Sequence, residues 1–548
     1  MNVIKNDLKF KLENNSNNYE TNLKLGLTFV NEKNYSEAEK IFKKLTITNK
    51  NRFEGFLNLS NVYEIQNKKD KSERILKKYI NDKKYHKEII SGLAIIYFNS
   101  EQNKKLKILI NQYVSIEENH ILFFLKAYLF ELENKFDDQI IYLKKSINNK
   151  KEFWPAYEKL FNIFERTNKI DEFENLINIS KKIFKDNIIL EYYLGLCLFR
   201  QDKNIEAISY IELNNTEEKL KKIEDSRYLI NFYDLLSKIN LKLNKFNLCL
   251  KFALKRNTLS IEDKNNKNFN KNTLLDIIEK YKIYFTKFNH KSVSDKNVGT
   301  AHKNLVFLVG FPRSGTTLLD TILRSHSKTK VLEEKPYLIN IRHKFFRENT
   351  LDKISNISEN QIYKLQKEYF NSFNYSKEKI TIDKFPLNLI ELGFIKKIFP
   401  DSKIILALRH PFDTILSCVL TSFKMNEAMA NYENLETTAY FYNEVFNLFN
   451  AYKKSLNLQY HTIKYENVVN NFDFTIKNLV SFLNLEYESA LNNYYSTAKK
   501  RAKINTPSYY QVVEPIYNRS INRYKNFPEI NKIESLISKW IKEFDYNL

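Results

Sequence analysis

LVFLVGFPRSGTT, residues 305–317, begins as an uninterrupted apolar run of strand length and ends in a loop of small and polar residues. Apolar side chains then recur at helical spacing from Leu318 to Leu323. A strand that is apolar at every position is typical of a parallel sheet covered on both faces. We therefore predict a strand, a loop and a helix in this order, within an α/β domain that has a central parallel sheet.

The loop between this strand and helix has the features of an anion site. Gly310 and Gly315 allow the backbone to wrap around a ligand, and the N-terminus of the helix adds its dipole. The glycine spacing and Thr317 match the phosphate loop of nucleoside triphosphatases, but Thr316 stands where that loop has its lysine. Arg313 supplies a guanidinium instead, which suits phosphate and sulfate oxygens. The pattern predicts a phosphate or sulfate site that does not imply a metal ion.

A second predicted strand is also followed by an arginine. Residues 404–408 are apolar and lead into Arg409, while Pro411 is placed to open a helix. Ser417 follows about two turns into that helix. A fixed cation and a hydroxyl donor together suit a doubly charged phosphate, and the carboxyl ends of neighbouring strands in a doubly wound sheet share one edge. We expect Arg409 and Ser417 to bind the same ligand as the loop.

These segments resemble the sulfotransferase family over about residues 303–527. The likeness is strongest to the tyrosylprotein sulfotransferases and to bacterial sulfotransferases that carry tetratricopeptide repeats. It implies 3′-phosphoadenosine-5′-phosphosulfate as the sulfuryl donor and 3′-phosphoadenosine 5′-phosphate as the product. The donor-binding residues implied by the resemblance are Pro312, Arg313, Ser314, Gly315, Thr316, Thr317, Arg409, Ser417, Tyr465 and Arg523.

The resemblance also implies the catalytic residues. Glu334, twenty-one residues after Arg313, matches the position of the family's catalytic base. Lys384, in the segment DKFP at the end of a short strand, matches the lysine that stabilises the transferring group. Ser508 matches a further transition-state stabiliser in the closing segment. Glu333, beside the base, is expected to be a solvated neighbour.

Sulfuryl transfer resembles phosphoryl transfer in needing positioning and charge stabilisation more than covalent chemistry. By the resemblance, Glu334 would take the proton of an acceptor hydroxyl, while Lys384, Ser508 and Arg313 would neutralise developing charge. No metal or redox cofactor is expected. Two other functions stay open: a P-loop kinase or nucleoside triphosphatase, which would turn over ATP with Mg²⁺, and a non-catalytic, repeat-based binding protein.

The first half of the chain repeats with a period of 34. Similar segments start near Tyr19, Phe53, Lys87, His120, Trp154 and Ile188. Small residues such as Ala38, Ser60 and Ser72 recur where two helices of a hairpin would approach closely. This resembles the tetratricopeptide repeat, an all-α solenoid whose concave face would bind a protein partner or only act as a scaffold. We predict an N-terminal tail (1–18), helical repeats (19–285), a linker (286–302) and a sulfotransferase domain (303–548).

The composition limits which binding partners and which cellular compartment we expect. The formal charge of +23 comes mostly from lysines dispersed along the whole chain, which predicts solvated surfaces and no nucleic-acid partner. Three widely spaced cysteines do not form a disulfide or zinc pattern. No apolar run reaches the length of a transmembrane segment, so we expect a cytoplasmic protein. The acceptor of the sulfuryl group stays open among a protein or peptide, a glycan and a small metabolite.

Overall fold

The structure is a computed structural model of the chain, and it describes residues 2–49, 52–80, 85–116, 118–185, 187–214, 219–220, 223, 225–263, 266, 269–287, 304–348, 350–456, 458–499 and 518–547. The chain divides into two compact units, Met1–Lys203 and Asn204–Leu548. Among the described residues, none of the helices combines the length and apolarity needed to cross a membrane.

The first unit is made of consecutive helical hairpins. Its helices are α1 (Asn2–Asn14), α2 (Tyr19–Asn31), α3 (Tyr35–Thr48), α4 (Phe53–Ile65), α5 (Lys69–Lys78), α6 (His86–Asn99), α7 (Asn103–Tyr113), α8 (His120–Leu132), α9 (Phe136–Asn149), α10 (Trp154–Arg166), α11 (Ile170–Ile183) and α12 (Ile188–Arg200). The leading helices of the hairpins begin within one residue of the predicted unit starts. The prediction of a helical repeat array is therefore confirmed.

The turns and the small residues explain the regular period. One residue of each turn has a left-handed backbone with φ between 55° and 62°, at Lys33, Asn67, Glu101, Asn134, Asn168 and Asp202. This conformation reverses the chain within three residues, and it recurs at nearly constant spacing. Inside a hairpin, the hydroxyls of Ser60 and Ser72 lie 2.6 Å apart and Ala38 is fully buried, as close helix packing requires.

The predicted N-terminal tail contains a helix. Residues 2–14 form α1, and Leu8 on this helix is buried in the same hydrophobic cluster as Phe42 and Leu59. Lys11 and Asp7 pair across one helical turn at 2.7 Å. The sequence did not predict this helix because its composition is mostly polar, and only a few of its side chains pack against the rest of the unit.

The second unit contains the sheet and the helices that cover it. Its helices are α13 (Asn204–Asn214), α14 (Ser226–Lys242), α15 (Phe246–Glu262), α16 (Asn272–Lys287), α17 (Thr316–Arg324), α18 (Tyr337–Glu348), α19 (Glu359–Asn371), α20 (Leu392–Ile398), α21 (Pro411–Leu420), α22 (Leu435–Ser455), α23 (Tyr465–Asn470), α24 (Phe472–Phe482), α25 (Tyr494–Lys499) and α26 (Glu534–Glu543). Its strands are β1 (Leu305–Gly310), β2 (Thr329–Glu333), β3 (Ile380–Lys384), β4 (Lys403–Leu408) and β5 (Tyr460–Lys464).

All five strands are parallel, in the order β2-β3-β1-β4-β5. Strand β1 is buried at every position, and its side chains alternate between two hydrophobic clusters. Phe307 packs in the cluster on one face, and Leu308 packs in the cluster on the other. The predicted fold class, a helical repeat array followed by an α/β domain with a central parallel sheet, is confirmed.

Helices α14 to α16 fold with the sheet, although they had been predicted to continue the repeats. Cys249 of α15 and Phe285 of α16 belong to the hydrophobic cluster that contains Phe307. The ring of Phe285 lies so close to Gly393 that a Cβ at this glycine would stand 2.2 Å from the ring. Helical periodicity does not reveal which neighbour covers the apolar face of a helix. The predicted domain boundaries stay a prediction; of the predicted linker, Thr286 and Lys287 end α16, and residues 288–302 lie outside the described residues.

Candidate active site

A cavity of about 590 Å³ opens at the carboxyl ends of the strands. One lining residue follows each strand: Arg313 after β1, Glu334 after β2, Phe385 after β3, Arg409 after β4 and Tyr465 after β5. Parallel strands present their carboxyl ends at one edge, and this edge is where open α/β sheets bind ligands.

The loop after β1 is held in an unusual backbone conformation. Arg313 has φ 71° and Gly315 has φ 93°, both in the left-handed region. Gly315 lies against the ring of Tyr465, where an added Cβ would come within 2.9 Å of a ring carbon. Ser314 donates its hydroxyl hydrogen bond to the carbonyl of Phe311 at 2.6 Å. A non-glycine residue in this conformation costs free energy, and such strain is concentrated at functional sites.

Three arginines converge beside this loop. Arg313 Nε donates to the hydroxyl of Ser417 at 3.1 Å, and Arg409 donates to the carbonyl of Arg313 at 3.4 Å. The guanidinium of Arg409 lies over the ring of Tyr465, 5.1 Å from its centre. Burial, followed by the charge of Arg409, lowers the pKa of Arg523. The Nε atoms of Arg409 and Arg523 are buried and have no hydrogen-bond partner among the residues that the structure describes. The cluster therefore has the charge and the free donors to hold an anion.

Asp413 positions the segment that carries Arg523. Its buried carboxylate accepts hydrogen bonds from the backbone N–H groups of Asn522 at 2.8 Å and Tyr524 at 2.9 Å. The same carboxylate lies 3.8 Å from Arg409. Sequence reasoning missed Asp413, although its place in the first turn of α21, four residues after Arg409, was a usable signal.

Glu466 performs a similar positioning role on the other side of Arg409. Its carboxylate accepts from the backbone N–H of His410 at 2.9 Å and from the hydroxyl of Tyr546 at 2.8 Å. The residue follows Tyr465 directly, so its contact with His410 fixes the start of α23 against the start of α21. Its contact with Tyr546 ties the same helix start to the segment after α26. This role was also missed, because the partners are far apart in sequence.

Glu334 and Lys384 meet at the ends of two paired strands. Strands β2 and β3 pair Glu333 with Lys384, and the N–H of Glu334 donates to the carbonyl of Lys384 at 2.8 Å. The Lys384 ammonium is fully buried and lies 2.6 Å from the Glu334 carboxylate, whose side chain is one-third exposed to the cavity side. Asp320 of α17 lies 3.8 Å from the same ammonium. Glu334 has φ 46°, a second strained backbone at this edge of the sheet.

Two carboxylates behind this pair are buried. Asp320 accepts a hydrogen bond from Arg324 Nε at 3.0 Å, and its second oxygen has no hydrogen-bond partner within the described part of the chain. Asp383 accepts from the hydroxyl of Tyr369 at 2.6 Å. Burial raises the pKa of Asp383 from 3.8 to about 7.

The predicted site residues can now be placed. Those that line the cavity are Pro312, Arg313, Gly315, Thr316, Thr317, Glu334, Arg409, Ser417, Tyr465 and Arg523. Ser314 and Lys384 lie behind its surface, where Ser314 closes the loop and Lys384 contacts Glu334. Ser508 lies outside the described residues. The roles assigned to these residues stay predictions.

One neighbour was predicted wrongly. Glu333 was expected to be solvated, but it is buried, with 8% of its surface exposed. It is the last residue of β2, where alternation turns its side chain away from the cavity edge that Glu334 reaches.

Residues 306–489 match the model of the sulfotransferase family. The second unit of this chain carries a sulfotransferase-family domain. The matched segment contains β2 to β5 and all of β1 except its first residue. It includes Arg313, Glu334, Lys384 and Arg409, and it ends before Arg523. Only about a third of the whole chain is covered by this match.

Comparison with individual proteins gives weaker likenesses. The chain is 23% identical over 244 residues to an uncharacterized protein of Aquifex aeolicus (strain VF5), and the match spans 42% of this chain and 32% of that relative's length. The sulfotransferase domain of the Synechococcus PCC 7002 olefin synthase is 18% identical, covering 45% of this chain and 97% of its own, with a TM-score of 0.34. A tetratricopeptide repeat protein from Parabacteroides merdae ATCC 43184 is 17% identical, covering 44% and 93%, with a TM-score of 0.32.

Proposed function

We propose that the protein transfers a sulfuryl group from 3′-phosphoadenosine-5′-phosphosulfate to an acceptor hydroxyl. The observation that carries this proposal is the convergence of Arg313, Arg409 and Arg523 on one cavity. Glu334 also lines this cavity, and the buried Lys384 contacts Glu334 from behind the cavity surface. A cluster of cations favours a polyanion, and a carboxylate beside a buried ammonium suits proton transfer next to developing negative charge.

The arginine cluster fits the donor. We call the part of the cavity lined by Arg313, Arg409, Ser417, Tyr465 and Arg523 the donor half. The loop after β1, with Arg313, would hold the 5′-phosphosulfate through backbone N–H groups and the guanidinium. Arg409, Ser417 and Arg523 would hold the 3′-phosphate, and the orphaned Nε atoms of both arginines would gain an acceptor. The half-buried ring of Tyr465 offers a stacking surface for the base.

The pair at the ends of β2 and β3 would perform the chemistry. When bound, the donor would supply the sulfuryl group, whose sulfur–oxygen bond to the 5′-phosphate breaks as the bond to the acceptor oxygen forms. Glu334 would accept the proton of the acceptor hydroxyl, and Lys384 would hold the Glu334 carboxylate in place and offset charge on the sulfuryl oxygens. Ser508 keeps its predicted role as a further stabiliser.

The experiment that tests the proposal measures donor recognition and transfer on the full chain. We expect 3′-phosphoadenosine 5′-phosphate to bind tightly, and Arg409→Ala to weaken its binding by about 100-fold while adenosine 5′-phosphate loses much less. ³⁵S-labelled donor should pass its label to phenolic or alcoholic acceptors without added Mg²⁺. Equal losses for both nucleotides would contradict the assignment of the 3′-phosphate site.

The same experiment separates the alternatives. A P-loop kinase or nucleoside triphosphatase would hydrolyse or transfer the γ-phosphate of ATP in the presence of Mg²⁺, and Thr316 in place of the loop lysine argues against it. A non-catalytic binding protein would bind the nucleotide and transfer no label. Label transfer from the sulfate donor alone supports the proposed function.

The partners and the compartment belong to the same proposal. The acceptor carries a hydroxyl, a tyrosine side chain being one case, and the helical hairpins of the first unit would bind a protein partner. The cytoplasm is the proposed compartment, supported by Cys197, Cys249 and Cys418, which are all buried free thiols.

A further inference from the structure

The rest of the cavity has a different chemical character from the donor half. On the far side of Glu334, the walls come from α16, α18, the segment after β3 and the segment 421–431. We call this part the acceptor half. Its apolar lining residues include Leu274, Ile277, Ile339, Leu387, Phe423 and Met429.

The positive charge in the acceptor half is paired. Arg342 lies 3.0 Å from the buried carboxylate of Glu391, which also accepts from the hydroxyl of Tyr281 at 3.0 Å. Partial burial, followed by the charge of Arg342, lowers the pKa of His343. Glu427 adds a negative charge to the lining. Among the described lining residues of this half, each permanent cation therefore already has a carboxylate partner.

Buried hydrogen bonds fix the wall of the acceptor half that residues 421–431 form. Arg256 donates to the carbonyl of Val419 at 2.6 Å, and Asn257 donates to the carbonyls of Val419 at 3.1 Å and Tyr432 at 3.0 Å. These bonds tie both ends of the segment 421–431 to α15. A wall that is already ordered costs little conformational entropy when a ligand binds.

We infer that the acceptor is an uncharged hydroxyl compound with an apolar body, such as a small phenol, and that Leu274 and Ile277 of α16 determine this specificity. The inference rests on the proposed function. An apolar body would bury its surface against these side chains, which is favourable in proportion to the area covered. Among the described lining residues, an acidic acceptor would lose its hydration without meeting a free cation, and Glu427 would repel it.

The test compares two acceptors on the full chain. The neutral phenol 2-naphthol is set against a synthetic peptide whose tyrosine is flanked by glutamates, with ³⁵S-labelled donor. We expect kcat/KM for 2-naphthol to exceed that of the acidic peptide by at least about tenfold. A preference for the acidic peptide overturns the inference and leaves the proposed function standing.

Two variants on one helix test the role of α16. Ile277→Ala should raise KM for 2-naphthol by about tenfold and change kcat little, because it removes apolar contacts to a bound acceptor. Ile283→Ala removes the same atoms at a position on α16 that is 45% exposed and outside the cavity, and it should keep the wild-type KM. Equal behaviour of the two variants overturns the inference, and their thermal unfolding midpoints exclude a folding defect.

A direct binding measurement shows whether the inference about the acceptor or the proposed function is wrong. The fluorescence of 2-naphthol is titrated against the protein saturated with 3′-phosphoadenosine 5′-phosphate. Binding that Ile277→Ala weakens, without transfer of label to either acceptor, supports the acceptor half and contradicts the proposed function. Transfer to the peptide with no binding of 2-naphthol supports the function and contradicts the inference.

Discussion

The donor half and the acceptor half share one cavity but differ in charge. In the donor half, Arg313, Arg409 and Arg523 converge, and the carboxylate of Asp413 lies 3.8 Å from Arg409. In the acceptor half, Arg342 is paired with Glu391 and the remaining lining is mostly apolar. The difference shows how one cavity would bind a polyanion at one end and desolvate a neutral nucleophile at the other.

The two halves also differ in how their walls are held. Residues beside the donor half are fixed by carboxylates on neighbouring elements, Asp413 for the segment of Arg523 and Glu466 for His410. The acceptor wall is fixed by a buried arginine and asparagine that bond to backbone carbonyls. In both cases a side chain from a distant element satisfies backbone groups that would otherwise be buried without partners.

The largest effect is expected at the border between the two halves. Glu334→Gln keeps the size and polarity of the side chain but cannot accept a proton, so kcat should fall by roughly 10²–10⁴-fold. The affinity for 3′-phosphoadenosine 5′-phosphate should change little, because Glu334 serves the acceptor. Steady-state kinetics and nucleotide titration measure both quantities.

The matched control for this variant is Glu378→Gln, an exposed carboxylate in the turn before β3. Its kcat should stay near that of the wild type. Equal losses in the two variants would remove Glu334 from the reaction.

The next largest effect is a loss of stability when Arg256, which anchors the segment 421–431 of the acceptor half, is replaced. Arg256 is almost fully buried and pairs with Asp234 at 2.7 Å. The Asp234 carboxylate has a second partner, Lys238, at 2.7 Å. Arg256→Ala would remove the buried one of these two cations together with its charge-assisted hydrogen bonds to the carbonyls of Val419 and Leu420, so the free energy of unfolding should fall by about 3–5 kcal/mol. Denaturant unfolding measures this loss. Arg227→Ala breaks an exposed pair with Asp225 and should cost no more than about 1 kcal/mol; a similar cost for both variants would contradict the structural role of Arg256.

The free energy of unfolding is expected to depend on pH through Asp383, the residue before Lys384 in β3. Because the folded-state pKa of Asp383 is raised from 3.8 to about 7, the folded state binds more protons than the unfolded state in this pH range. The free energy of unfolding should therefore fall as pH rises from about 4 to 7, by at most about 4 kcal/mol from this group. Asp383→Asn cannot ionise and should lack this slope.

The comparison of wild type and Asp383→Asn at pH 5 and pH 8 measures the contribution. The variant should gain stability relative to the wild type at pH 8. Parallel pH profiles would show that Asp383 ionises as readily in the folded protein as in the unfolded chain.

The smallest effect is expected at the edge of the donor half. Arg523→Ala should weaken binding of 3′-phosphoadenosine 5′-phosphate by about tenfold, because one of several charged donors is lost. Calorimetric titration measures it, with the exposed Lys525→Ala as the nearby control. Loss of affinity in both variants would indicate a general charge effect and not a specific contact.

Much of the fold and part of the candidate site could be predicted from local sequence patterns. The period of 34 predicted the hairpins because each hairpin is built from short-range helical contacts and a three-residue turn. The apolar run 305–309 predicted β1, and residues at strand exits were predicted to meet because parallel strands share one carboxyl edge. Arg313, Glu334 and Arg409 do lie on one cavity, although their roles stay predictions.

Only the tertiary structure decided which helices surround the cavity. In sequence, α14 to α16 look like further repeats, yet Phe285 packs against Gly393 and Ile277 lines the cavity. Asp413, Glu466 and Arg256 show the same limit, because each bonds to backbone far away along the chain. A sequence determines periodicity and strand exits through interactions between near neighbours. What covers an apolar face or satisfies a distant backbone group depends on which elements meet, and that is settled by the packing of the whole unit.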